Sequence, residues 1–247
     1  MTDLSVNLNK VALLRNSRHL NLPSVAWAAQ TCIEAGAYGL TVHPRPDERH
    51  IRRTDVYELA ELLQDYPHIE FNIEGNPLEP GFMKIVQAVK PNQATLVPDD
   101  PNQFTSDHGW NVAQDGDTLK PIIQTLHEVG ARVSLFMDPD PAPMPQVKAL
   151  GADRIELYTE PYATAHREGN GDASRETYAI AAQAAQAQGL GVNAGHDLNL
   201  DNLPQFLTIP GILEVSIGHA LTADALKMGL TASVKAYLKA CGMATAT

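Results

Sequence analysis

Strand-like and helix-like stretches alternate eight times along this chain of 247 residues, which predicts a single closed (β/α)8 barrel over residues 1–247. Strands joined through helices cross over right-handed and lie parallel. Eight such units in about 250 residues fit a barrel better than an open sheet. An open dinucleotide-binding sheet would carry Gly-x-Gly-x-x-Gly after its first strand. Here Asn9 is followed by Lys-Val-Ala-Leu-Leu-Arg, with no glycine.

The units run in order. Leu4–Asn9 reads as a strand, and Ser24–Ala35 as an amphipathic helix stopped by Gly36. Tyr38–His43 is a strand and Thr54–Asp65 a helix with Thr54 as its N-cap. Ile69–Glu74 (strand) precedes Pro80–Val89 (helix), and Ala94–Val97 (strand) leads through a long polar loop to a helix near Asp117–Val129. Arg132–Asp138 is a strand and Met144–Leu150 a short helix. Arg154–Tyr158 is a strand, followed by a loop and an Ala-rich helix at Ala173–Gln188. Gly191–Asn193 begins a strand with a weak helix at Leu200–Leu207, and Leu213–Ile217 is a strand before a closing helix at Ala223–Ala240.

Composition narrows the function. Hydrophobic residues make up 44% and charged residues 19%, enough apolar side chain for a sizeable core and too much for a disordered chain. No apolar run approaches the roughly 20 residues that cross a bilayer, and no signal peptide opens the chain, so no membrane partner is expected. Cys32 and Cys241 are far apart and outside any metal-ligand spacing, which fits a reducing cytoplasm. A net charge of −11 argues against nucleic acid. Residues 1–53, however, hold seven Lys/Arg against four acids, a net +3, while the other 194 residues carry −14. A small anionic ligand drawn to one spot is one reading; charge alone favours the plainer one, a solvated basic face.

In such a barrel the chemistry sits at the C-terminal strand ends and the loops after them, with Val, Ile and Leu expected in the strand interiors facing the core. The eight ends present Asn7 and Asn9, His43, Glu74, the loop with Thr105, Asp138, Glu156 with Thr159, His196, and Gly218-His219. Any one of these could be a helix cap or loop residue; eight together collect acids, bases and donors on one rim. His43 opens a proline-stiffened segment in which Arg45 offers a fork for phosphate oxygens and His50 a further donor. Glu74, at the mouth of an apolar barrel, would have its proton affinity raised by desolvation, which suits a general base; pairing with Arg45 or Lys10 is the structural alternative. Gly195-His196 and Gly218-His219 are two turns after strands 7 and 8, where barrels often hold phosphate.

These stretches taken together resemble the pyridoxine 5′-phosphate synthase family. The resembling segments are Val6-Asn7-Leu8-Asn9 through Leu14-Arg15-Asn16-Ser17-Arg18, Thr41-Val42-His43-Pro44-Arg45-Pro46-Asp47-Glu48-Arg49-His50-Ile51 and Asn72-Ile73-Glu74. They continue with Leu96-Val97-Pro98, Val133-Ser134-Leu135-Phe136, Ile155-Glu156-Leu157-Tyr158-Thr159, Val192-Asn193-Ala194-Gly195-His196 and Ile217-Gly218-His219-Ala220. The resemblance implies a barrel enzyme without metal or cofactor. It would condense 3-amino-2-oxopropyl phosphate with 1-deoxy-D-xylulose 5-phosphate to pyridoxine 5′-phosphate, phosphate and water, as a cytoplasmic homo-octamer. By motif, it gives His43 and Glu74 proton-acceptor roles and His196 a proton-donor role. Asn7, Arg18, Gly218 and His219 fall on amino-ketone phosphate or product contacts, and Arg45, His50 and Thr105 on deoxyxylulose phosphate contacts. Glu156 lies in a matched stretch. Two departures stand out: Asn9-Lys10 replaces a common Asp-His at sugar-hydroxyl positions, and Asp197 stands where glycine is common.

Two other readings stay open. A metal-dependent barrel hydrolase could use His43, Glu74, Asp138, His196 and His219, although such sites often begin with His-x-His where this chain has Asn7-Leu8-Asn9. A phosphate-ligand binding protein without catalysis would use the same scaffold.

Overall fold

The computed structural model describes residues 1–100 and 103–242; residues 243–247 of the expected domain lie outside the described ones. Eight parallel strands close into a barrel in chain order, β1 pairing with both β2 and β8. They are β1 (Asp3–Asn7), β2 (Gly39–Val42), β3 (Glu70–Gly75), β4 (Gln93–Leu96), β5 (Arg132–Met137), β6 (Arg154–Tyr158), β7 (Gly191–Gly195) and β8 (Ile212–Ile217).

The helices surrounding them are more numerous than the eight expected. They are α1 (Asn9–Asn16), α2 (Val25–Glu34), α3 (Arg53–Leu62), α4 (Phe82–Val89), α5 (Val112–Glu128), α6 (Met144–Leu150), α7 (Glu160–Arg167), α8 (Gly171–Ala187), α9 (Leu203–Phe206), α10 (His219–Met228) and α11 (Leu230–Ala240). The expected first strand ends at Asn7, and Asn9 and Lys10 open α1 instead, with the Asn7 carboxamide oxygen accepting the Asn9 N–H at 3.0 Å. The first turn of α3 begins before Thr54, because Asp55 reaches back to accept the Arg52 N–H at 2.7 Å. Beyond β6 the expected loop contains α7, whose Pro161 occupies a first-turn position where its missing N–H costs nothing. The single closing helix is two, broken at Gly229 with φ +87°.

The expected Val, Ile and Leu side chains of the strands do face a core, but that core lies beneath the helices, and the barrel lumen is polar. Side chains alternate across each strand, and the apolar set (Leu4, Val6, Leu40, Val42, Ile73, Leu96, Val133, Leu135 and their equivalents) is buried beneath the helices. The other set faces inward and is polar. Near the N-terminal ends, Arg132 binds Glu70 and donates from Nε to Gln93 at 2.9 Å, while Arg154 donates to Glu214 and Asn193, each at 3.1 Å. One level up, the Ser5 and Thr41 hydroxyls share a 2.7 Å hydrogen bond, Asn72 donates to Thr41 at 3.3 Å, and Thr95 donates to Asn72 at 3.0 Å. These networks satisfy buried polar groups and set the uppermost layer, with Asn7 and Glu74, at the C-terminal mouth.

Candidate active site

A cavity of about 450 Å3 opens at that mouth. Asn7, Asn9, Lys10, His43, Arg45, His50, Glu74, Thr105, His196, Gly218 and His219 all line it. Arg18 and Glu156 do not. Arg18 is exposed past the end of α1 and donates to the Ser17 carbonyl at 3.0 Å, so within one chain it is away from the rim. Glu156 is buried in the barrel below His196. Asp138 also lies elsewhere: it accepts the Gly109 N–H at 3.1 Å and lines a separate cavity with Trp110 and Asp140.

Glu74 ends the inward face of β3. Its Oε2 accepts from Asn7 at 3.4 Å and lies 3.9 Å from His43 Nδ1. Burial, with the Asp99 charge adding to it, pushes the Glu74 carboxyl up to about 8. Burial and then the Arg45 charge hold the His43 imidazole well below its usual range. Asn9, one of the departures, has a structural task here: its side-chain oxygen accepts the His43 backbone N–H at 2.9 Å.

The segment after β2 is stapled rather than loose. Arg15 is 2% exposed, donates from Nη2 to Asp55 at 2.9 Å and to the His50 carbonyl at 3.1 Å, and makes a second contact to Asp55 through Nη1. Asn16 Nδ2 lies within hydrogen-bond distance of the Glu48, Arg49 and His50 carbonyls. The Leu-Arg-Asn stretch therefore shapes the ligand loop without touching the cavity. His50 Nδ1 accepts the Ile51 N–H at 2.9 Å, and burial, with the Arg45 charge, lowers its pKa to about 4, so the proton of the neutral ring sits on Nε2. That leaves Nε2–H as a donor on a residue that lines the cavity.

The strand-7 turn is bent into left-handed backbone, with φ +82° at His196 and +61° at Asp197. Positive φ at non-glycine residues clusters at functional sites, and histidine and aspartate are among the side chains that adopt it most readily. Asp197 lines the cavity. Thr159 holds the turn, its hydroxyl 2.5 Å from the carbonyls of both Gly195 and His196. Enclosure lowers His196 to about 4. Its Nδ1 is 4.0 Å from Glu156 Oε1, and neither atom has another partner among the described residues. Burial, with the neighbouring Glu74 and Glu214 carboxyl groups adding to it, raises the Glu156 carboxyl well above its usual range. Gly195 makes room for this arrangement, since a Cβ there would sit 2.4 Å from Glu156 Oε1. Across the mouth, Gly218 packs against Asn7, and His219 begins α10, whose N-terminus adds partial positive charge.

Lys10, Arg45 and Arg49 bring cationic side chains from the basic first 53 residues to the lining, so part of that excess is directed at the cavity. The sequence reading did not single out Arg49, Ser106, Ser216 or Asp99. Asp99 directly follows the matched Leu96-Val97-Pro98 stretch, where a strand-end rule could have found it.

The family model described as pyridoxal phosphate biosynthesis protein PdxJ matches residues 4–243. The chain belongs to the PdxJ family. It is 57% identical to a pyridoxine 5′-phosphate synthase of Albidiferax ferrireducens over 244 residues, covering 96% of each chain. It is 54% identical to one of Xanthomonas campestris pv. campestris, covering 96% of this chain and 95% of the relative. Among solved structures it resembles phosphoribosyl anthranilate isomerase from Thermus thermophilus (TM-score 0.59, 12% identity, 98% of each chain). A structure described as native KDPGal is similar at TM-score 0.60 and 13% identity, covering 97% of this chain and 96% of that one. At that identity the likeness concerns the barrel fold alone. Among the described residues no helix of this PdxJ-family chain is long and apolar enough to cross a membrane.

Proposed function

We infer that the chain is a pyridoxine 5′-phosphate synthase, the ring-closing enzyme of vitamin B6 biosynthesis, and that its rim cavity condenses 3-amino-2-oxopropyl phosphate with 1-deoxy-D-xylulose 5-phosphate. The observation that carries this reading is the convergence of Glu74, His43 and His196 on one cavity that also presents Lys10, Arg45 and Arg49. Its volume of about 450 Å3 lies within the range of about 300–1,000 Å3 typical of small-molecule sites.

Imine formation, enolisation, phosphate loss, carbon–carbon closure and dehydration are mainly proton transfers. Glu74 and His43 accept protons, and His196 donates. A carboxyl near 8 is suited to releasing and retaking a proton at working pH. Burial lowers the proton affinity of both histidines, and the charge of a bound phosphate raises it again when a donor is needed. Arg45, His50 and Thr105 serve the sugar phosphate. Asn7 and the Gly218-His219 turn serve the amino-ketone phosphate, and Asn9 and Lys10 border the sugar hydroxyls. Holding both reactants in contact supplies effective concentration.

The enzyme works in the cytoplasm as a homo-oligomer. The exposed apolar side chains Leu13, Leu14, Leu20, Leu22 and Trp27, all within one short stretch of chain, support a surface for a second copy. Light scattering reads the assembly, and a monomer at micromolar concentration would contradict it. The function is tested by omission. Both substrates together yield pyridoxine 5′-phosphate; either alone yields none. Phosphate release from a single substrate, lost on chelation and restored by zinc, would favour the hydrolase reading, and binding without turnover the non-catalytic one.

A further inference from the structure

We propose that Asp99 is a positioning residue of this site: its carboxylate fixes the Arg45 guanidinium and orients the His43 imidazole toward Glu74. This rests on the reading of the cavity given above, and adds to it a group behind the rim that does not line the cavity.

Asp99 lies three residues past the end of β4 and is 4% exposed. Its own carbonyl accepts from Asn76 Nδ2 at 2.9 Å, so its backbone is anchored from the loop after β3. Its Oδ2 receives Arg45 Nη2 and the Ser106 hydroxyl at 2.8 Å, and stands 3.9 Å from His43 Nε2. Arg45 is 5% exposed, and its Nη1 donates to the Gln103 carbonyl at 3.0 Å. Two bonds on separate nitrogens of a planar fork fix its plane, leaving further N–H groups for a ligand. A buried ion pair adds little net stability over an apolar pair of the same shape, so the consequence of this one is geometric.

His43 stands between two carboxyl groups, with Nε2 toward Asp99 and Nδ1 toward Glu74, each at 3.9 Å. The Asp99 carboxylate, beyond hydrogen-bond distance at 3.9 Å, acts on the ring through its charge, which favours a proton at Nε2 and leaves the Nδ1 lone pair toward Glu74. Asp99 therefore acts on both halves of the site through other residues. Facing it are Arg45 and His43 after β2, Glu74 on β3, and Ser106, Asp107 and His108 in the loop before α5. Glu74 is faced by Asp99, Arg45, Glu214, Glu156, His43 and Asn7. Removing the Asp99 charge takes away a negative neighbour of Glu74 and leaves Arg45 unneutralised, and both changes favour the ionised Glu74.

The test is Asp99→Asn in the full chain, with Asp99→Glu as the charge-keeping comparison. In Asp99→Asn, KM for 1-deoxy-D-xylulose 5-phosphate rises about tenfold, the loss expected for one misaligned charge-assisted contact. KM for the amino-ketone phosphate stays within about twofold on the same scale, and the acid limb of kcat/KM moves to lower pH. Asp99→Glu returns the limb toward its wild-type position. Nitrogen NMR of the His43 ring, read without substrate, shows the Nε2-protonated tautomer in the wild type and a mixture in Asp99→Asn. A folded Asp99→Asn with an unmoved limb, an unchanged tautomer and equal changes in both KM values overturns the proposal and leaves Asp99 a structural group. A wild-type chain that makes no pyridoxine 5′-phosphate overturns the reading of the cavity instead, and the tautomer measurement still decides whether Asp99 orients His43.

Discussion

Replacing Glu74 by Gln removes the ionisable oxygen with little change of shape and keeps an acceptor for the Asn7 side chain 3.4 Å away. Loss of a general base costs about 10²–10⁴-fold, or roughly 2.7–5.5 kcal/mol of barrier at 1.36 kcal/mol per decade. With its carboxyl pushed up to about 8, wild-type Glu74 is ionised in only about a tenth of molecules at pH 7. Wild-type kcat/KM therefore rises about tenfold per pH unit below 8 and levels above it, whereas the Glu74→Gln residue of activity is flat over that window. Stability moves the opposite way. Between the unfolded value of 4.5 and the folded value of about 8, the folded chain holds a proton that the unfolded chain has released, so Glu74 makes stability fall as pH rises. Glu74→Gln is then more thermostable than the wild type at pH 9 and close to it at pH 5. The assays are initial rates of pyridoxine 5′-phosphate formation across pH and calorimetric melting of the empty enzyme. Near wild-type turnover in Glu74→Gln, or an acid limb that survives the substitution, would refute the assignment.

Other substitutions read other parts of the site. Arg45→Ala weakens binding of the deoxyxylulose phosphate about tenfold to a hundredfold, from the loss of a charge-assisted bond worth roughly 1.5–3 kcal/mol. Arg45→Lys recovers part of that, and the amino-ketone phosphate is much less affected; calorimetry showing equal weakening of both ligands would sink the two-subsite assignment. Gly195→Ala drives a Cβ to 2.4 Å from Glu156 Oε1, so Glu156 shifts from beneath His196 and kcat falls by about tenfold or more while the fold is kept; an unchanged kcat would mean that the Glu156–His196 contact has no part in turnover. Treatment with EDTA leaves the rate unchanged, and a loss restored by zinc would return the metal-dependent reading to contention.

The barrel was legible because strand and helix periods differ and each of the eight strands carries its own apolar face. The polar lumen was not, since Ser5, Thr41, Asn72 and Thr95 alternate with apolar residues as the solvent face of an ordinary strand would, and only closure turns that face inward. Helix ends were misjudged where capping or packing decides them. The start of α3 is set by Asp55 reaching back to Arg52, with Arg15 holding Asp55 from 40 residues away, and Gly116 inside α5 permits close contact with Leu150. The rim residues were legible because strand ends are the places where acids and histidines interrupt apolar runs. Arg18 enters the site only through the family resemblance, and within one chain it stands past the end of α1, outside the cavity lining. Asp99 was missed because its importance lies in what it holds: Ser106 in its own loop and Arg45, 54 residues away in sequence.

The central claim is that one rim cavity joins two phosphate esters into one. Phosphorus NMR of a single sample containing the enzyme and both substrates measures this directly. The account predicts that the two substrate ester signals decline together while one new ester signal, that of pyridoxine 5′-phosphate, and free phosphate grow in equal amounts, and that the Glu74→Gln enzyme leaves the spectrum nearly static over the same time. Free phosphate appearing without the new ester, or one substrate signal declining while the other stays constant, would contradict it.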